Sequence, residues 1–185
     1  MKRILVLFII SLLLIPAVAA QNVTITGVSF EIPEQYEHGT AKPNSYVYES
    51  GLTFRFLNVD DSKNLRLNFG SDIYDADSHE ETSIAGHDAV VISRHYNSKY
   101  YTSLYFATGD HIFLICFNDT NVNDEIRDMI SKTPEQTMSH DEFSSRLNQA
   151  ANDYQDQLIQ EEQDYNSEQY YRNNKPTHRF FFFRF

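Results

Sequence analysis

The chain has 185 residues, a net charge of −11 and one cysteine. That is enough chain for one domain. Its acidity argues against partners rich in phosphate, nucleic acid above all, which the protein would repel. A lone cysteine, Cys116, makes no internal disulfide, so the fold must hold by its core; 12 Tyr and 14 Phe can supply one.

The N-terminus reads as a secretory signal. Lys2 and Arg3 precede an apolar run from Ile4 to Ile15, and Ala17-Val18-Ala19-Ala20 supplies small residues at a cleavage point before Gln21. The run is shorter than the roughly 20 residues of a spanning helix, which favours a cleaved signal over an uncleaved anchor. The expected location is secreted or extracytoplasmic. An uncleaved Ile4–Ala20 segment would anchor the protein instead.

Residues 23–32 alternate as a strand, with Gly27 as a bulge or bend and Pro33 as its stop. Residues 34–44 read as a loop. Residues 46–48, 52–59 and 65–69 are short candidate strands, and residues 72–81 form an acidic connection. Residues 89–96, 100–107 and 111–117 give the clearest sheet signal, separated at hairpin length. The last of these is apolar on both faces, which suits a central strand. Cys116 lies within it and reads as a small buried hydrophobe. A first helix is expected to start at an Asn121 cap, with Val122, Ile126, Met129 and Ile130 on one face. Ser139 and Glu142 form a capping box for a second helix, long and polar, running to about Asp164.

Strands followed by helices imply an α+β fold: an antiparallel sheet of about five to seven strands with C-terminal helices, the last long and polar. The expected divisions are a signal peptide at 1–20, an α+β domain at 21–133, a helical arm at 134–170 and a basic Phe-rich tail at 171–185.

Val28-Ser-Phe-Glu-Ile-Pro33 and Ile84-Ala-Gly-His-Asp-Ala-Val-Val91 resemble segments of small exported proteins of methanogenic archaea that carry no assigned function. The layout is also similar to the PsbP-like α/β sandwich, an antiparallel sheet carrying helices. The resemblance spans roughly residues 23–133. It implies an exported α+β module and lends no catalytic residues.

Site by site, the sequence offers little chemistry. The seven histidines are scattered, without an H-x-x-x-H or H-E-x-x-H pair for zinc. Asp72, Asp75, Asp77 and His79 are the only ligand-dense stretch. Hard oxygen donors at alternate positions suit calcium, but Glu80 stands where the loop needs glycine. No metal site and no cofactor is expected. No G-x-S-x-G elbow or phosphate loop occurs, so an enzyme is not expected. Asn22 and Asn118 match the N-glycosylation pattern. Tyr100, Tyr101 and Tyr105 are the expected contact surface, since tyrosine combines area with a polar tip. Phe180, Phe181, Phe182, Phe183 and Phe185, flanked by Arg179 and Arg184, form a tail suited to a partner or a membrane interface.

The reading from sequence is an exported, non-enzymatic binding module at or outside the cell surface, with an unidentified protein or surface partner. Membrane contact would run through the N-terminal segment or the Phe-rich tail. The alternatives are an envelope-associated structural or assembly protein retained by its terminal segments, and a secreted hydrolase.

Overall fold

A computed structural model describes residues 21–49, 51 and 53–173. The signal segment and the Phe-rich tail lie outside the described residues. The architecture is α+β. Strands β1 (Asn22–Ile25) and β2 (Val28–Glu31) form a hairpin. Strands β3 (Thr40–Lys42), β4 (Ser45–Tyr48), β5 (Phe54–Asn58), β6 (Ser78–Ile84), β7 (His87–Tyr96), β8 (Lys99–Thr108) and β9 (His111–Phe117) form one antiparallel sheet. Its order is β3-β4-β5-β9-β8-β7-β6, so β9 is the middle strand, as its two apolar faces require.

Two cores cover the two faces. On one face Phe113, Ile115 and Phe117 of β9 join Phe54, Phe56, Leu104 and Phe106, and the β1–β2 hairpin closes over them with Ile25, Phe30 and Ile32. Helix α3 (Asp124–Ser131) adds Ile126, Met129 and Ile130. On the other face Ile112, Leu114, Tyr105, Val90 and Ile92 meet Leu65 and Phe69, together with Phe143, Leu147 and Ala150 of helix α4 (His140–Asn173).

Several local expectations are corrected. Residues 23–32 are not one bulged strand: Thr26 and Gly27 sit at φ 52° and 81°, a two-residue turn that folds the segment into a hairpin. Within residues 34–44 the structure has a 3-10 turn at Glu34–Tyr36 and strand β3. Residues 65–69 are helical. Leu65, Leu67 and Phe69 alternate like a strand, but Leu65 and Phe69 are also four apart and share a helix face, leaving Leu67 exposed. The segment comprises α1 (Ser62–Leu65), a π-helical turn (Arg66–Gly70) and α2 (Ser71–Tyr74). Asp61 caps it by accepting from the Asn64 amide at 2.8 Å. The acidic connection is accordingly the end of α2, a short loop and the start of β6.

Helix α3 starts later than expected: Asn123, not Asn121, accepts from the Ile126 amide at 2.9 Å. Ser139 caps α4 by accepting from Glu142 at 3.1 Å. Helix α4 runs past Asp164 to Asn173, since no Gly or Pro interrupts it. Gln157–Glu161 and Gln160–Asp164 hydrogen bonds (2.6 and 2.9 Å) support the polar part. Its first half is not an arm. Phe143, Leu147 and Ala150 complete the second core, so the body extends well past residue 133.

Helix α4 approaches the Arg66–Tyr74 segment closely at Gly70. A Cβ there would lie 2.4 Å from the Tyr154 Cβ and 2.8 Å from the Ala150 carbonyl oxygen. Gly70 has ordinary helical angles (φ −60°, ψ −43°), so alanine would normally stabilise by about 1 kcal/mol. Gly70→Ala is expected to destabilise by about 2 kcal/mol instead, through overpacking. Urea unfolding reads the sign directly, and a stabilised variant would contradict this packing.

Candidate functional site: an open cleft beside the edge strand

Among the described residues the sheet ends at β6, which pairs with β7 alone. The Ala85-Gly86 turn joins the two, with φ 52° and 89°. On β6 the side chains of His79, Glu81 and Ser83 stand opposite Ile92, Val90 and Asp88, on the face that carries α4. Between them and the first turns of α4 lies an open cleft of about 430 Å³. Phe69, Ile73, Val90, Phe143 and Leu147 make its apolar floor, and His79, Glu81, Asp88 and His140 its polar rim.

The cleft exists because the chain must change faces between α3 and α4. Residues 134–138 cross the end of the sheet and bind the β8–β9 turn. The amides of Thr137 and Met138 donate to the Gly109 carbonyl at 2.7 and 3.0 Å, and Thr108 donates to the Pro134 carbonyl at 2.7 Å. Gln136 grips Asp88 from both ends. Its Oε1 accepts from the Asp88 amide at 2.7 Å and its Nε2 donates to the Asp88 carboxylate at 2.7 Å. The His140 Nδ1 is 3.2 Å from the other Asp88 oxygen. Asp88 is therefore committed to holding the start of α4. His79 and Glu81 are exposed, and their side chains make no hydrogen bond or ion pair among the described residues. Ser83 and Ser144 line the same cleft, and neither hydroxyl is hydrogen-bonded to His140 among the described residues.

A second polar group lies deeper on the same face. Asp72 is buried, with Arg94 at 2.8 Å on one oxygen and the Tyr105 hydroxyl donating to the other at 2.8 Å. Nearby, Cys116 is half-buried and pairs across the sheet with Arg55 and Ser103, its Sγ 3.9 Å from the Ser103 hydroxyl. Burial pushes the Cys116 thiol up, and the Arg55 guanidinium opposes this without reversing it. The thiol is thus kept protonated, an unreactive form. Burial, and next the Asp72 carboxylate, pushes the Tyr105 hydroxyl well above the ordinary phenol range. This cluster ties α2 to the sheet and is structural.

The residues singled out from sequence are dispersed. Asp72 is held by Arg94 and Tyr105, Asp75 follows α2, and His79 lies in the cleft. Asp72, Asp75, Asp77 and His79 do not converge: among the described residues no three His, Cys, Asp or Glu side chains come together as ligands. Tyr105 is no contact residue: it is fully buried, with the Phe69 ring against its own and Asp72 accepting from its hydroxyl. Tyr100 is exposed and Tyr101 half-buried at the β7–β8 turn. They sit beside Tyr96, which sequence reasoning missed although it ends the neighbouring strand run. Asp75, Arg94, His95, Tyr96 and Tyr101 line a shallow hollow of about 440 Å³ there. His87 is buried, its Nδ1 2.7 Å from the Ala107 carbonyl oxygen, and His111 pairs with Asp60. Asn22 and Asn118 are both exposed. No described helix is long and apolar enough to cross a membrane.

The chain matches no protein-family model, no curated protein and no solved structure.

Two outcomes follow from the Asp72 cluster. Removing Arg94 leaves a buried carboxylate uncompensated, so Arg94→Met is expected to lose about 2 kcal/mol, the usual buried-pair penalty discounted for the partial exposure of Arg94. Urea unfolding at neutral pH measures it, and an unchanged midpoint would contradict the pairing. For Tyr105, the folded hydroxyl ionises above the unfolded one, which titrates near pH 10. Its contribution is fully present below pH 10 and is lost as pH rises from there toward the folded value. Stability should fall above pH 10, and Tyr105→Phe should flatten that fall. An equal slope in both proteins would contradict the assignment.

Proposed function

We propose that this protein is an exported, non-enzymatic binding module acting at or outside the cell surface, and that it takes an extended polypeptide in the cleft between β6 and α4. The observation that carries the reading is the edge strand itself. Among the described residues β6 offers seven residues of backbone with one side unpaired by any strand, next to an apolar floor and the uncommitted side chains of Glu81 and His79. A chain laid along such an edge pairs through its backbone and places alternate side chains in the groove. Export rests on the N-terminal segment and on the resemblance to exported proteins of methanogenic archaea.

A second reading is a secreted hydrolase, favoured by one observation. The His140 Nδ1 lies 3.2 Å from an Asp88 oxygen, and two serines line the same cleft. That is the base half of a Ser-His-Asp arrangement, and the nucleophile half is not assembled. Labelling with a fluorophosphonate separates the readings: stoichiometric modification of Ser83 or Ser144, abolished by His140→Ala, would replace the binding module with an enzyme.

The binding reading is tested by NMR titration of the chain ended at Asn173 with a library of unstructured heptapeptides. Apolar, cationic peptides should shift the amides of β6 and of residues 140–148, and Ser144→Trp, which fills the cleft, should weaken them at least about tenfold. Binding elsewhere, or no binding by any member, would overturn it.

A further inference from the structure

We infer that the occupant of the cleft is the Arg179–Phe185 segment of a second copy of this chain, added to β6 as an eighth strand. This rests on the cleft reading above.

Three features select that segment. The first is length and pattern. β6 has seven residues, Ser78–Ile84, and Arg179-Phe-Phe-Phe-Phe-Arg-Phe185 has seven, rich in a residue that favours strands. Laid residue for residue along β6, the segment places Phe180, Phe182 and Arg184 beside His79, Glu81 and Ser83 on the α4 face, which would set two rings over Val90, Phe143 and Leu147. The second is charge. Glu81 and Asp88 line the cleft, and the segment carries two arginines and no acid. The third is reach. Helix α4 ends at Asn173, about 33 Å along its axis from Ala151, the last α4 residue lining the cleft. Arg179 is six residues further on, a span of at most about 20 Å. Arg179 thus stops about 13 Å short of Ala151, so the segment cannot pair over its full length with β6 of its own chain, whereas a second chain meets no such bound.

Such an exchange caps an exposed strand edge that would otherwise invite non-specific pairing. It is a heterologous contact, tail to cleft, so it closes only by mutual exchange and otherwise extends head to tail.

Sedimentation velocity of residues 21–185 over a concentration series tests the proposal. The full chain should self-associate, and the chain ended at Asn173, which keeps every residue of the body, should stay monomeric. Ser144→Trp and Glu81→Lys in the full chain should each weaken association about tenfold or more, and Arg184→Glu should recover part of the loss in Glu81→Lys. A synthetic Lys175–Phe185 peptide added to the chain ended at Asn173 should shift the amides of His79, Glu81 and Ser83. A monomeric full chain at every concentration would overturn the inference, as would association indifferent to the cleft variants. So would tail-dependent retention on anionic lipid vesicles with no self-association. If other extended peptides bind the cleft while the Lys175–Phe185 peptide does not, this inference fails and the binding module stands.

Discussion

The structure depends on burying β9 from both sides. Its seven residues present Phe113, Ile115 and Phe117 to one face and Ile112, Leu114 and Cys116 to the other. Each large side chain kept from water contributes about 1.5–3 kcal/mol. A sheet with water on one face would forfeit half of that, so both faces need a cover. The hairpin with α3 supplies one, and the Ser62–Tyr74 segment with α4 supplies the other. In a chain without an internal disulfide, these two cores carry the fold.

The need for two covers explains where the candidate site lies. The chain places α3 on one face and must reach the other within residues 132–139. It does so at the β8–β9 turn, held by Thr108, Gly109 and the Gln136–Asp88 pair. From that crossing α4 packs over β7, β8 and the helical segment, and it leaves β6 only partly covered. The result is a trough with an apolar floor, bounded on one side by an unpaired strand edge. The cleft is thus a consequence of how the second core closes.

Much of the architecture was legible in the sequence. The doubly apolar pattern of residues 111–117 placed β9 at the centre, and the hairpin-length breaks delimited residues 89–96, 100–107 and 111–117 as three neighbouring strands. What periodicity could not supply was which face is covered where. Tyr105 looks like a contact residue until α2 is seen to bring Asp72 to its hydroxyl. Residues 65–69 satisfy both a strand and a helix pattern, and the Asp61 cap and packing against α4 decide for the helix. The cleft was illegible for a related reason. His79, Glu81, Asp88 and His140 come from three elements, and the crossing that unites them leaves no local signature. His79 was noticed only as a member of an acidic run that the fold takes apart.

Native-state hydrogen exchange on the chain ended at Asn173 probes the covered centre and open edge together. The β9 amides should exchange only through global unfolding, while the outward-facing amides of Ser78–Ile84 exchange orders of magnitude faster. Equal protection of the two strands would mean that β6 is covered within the body. That result would contradict an open edge and the cleft built beside it.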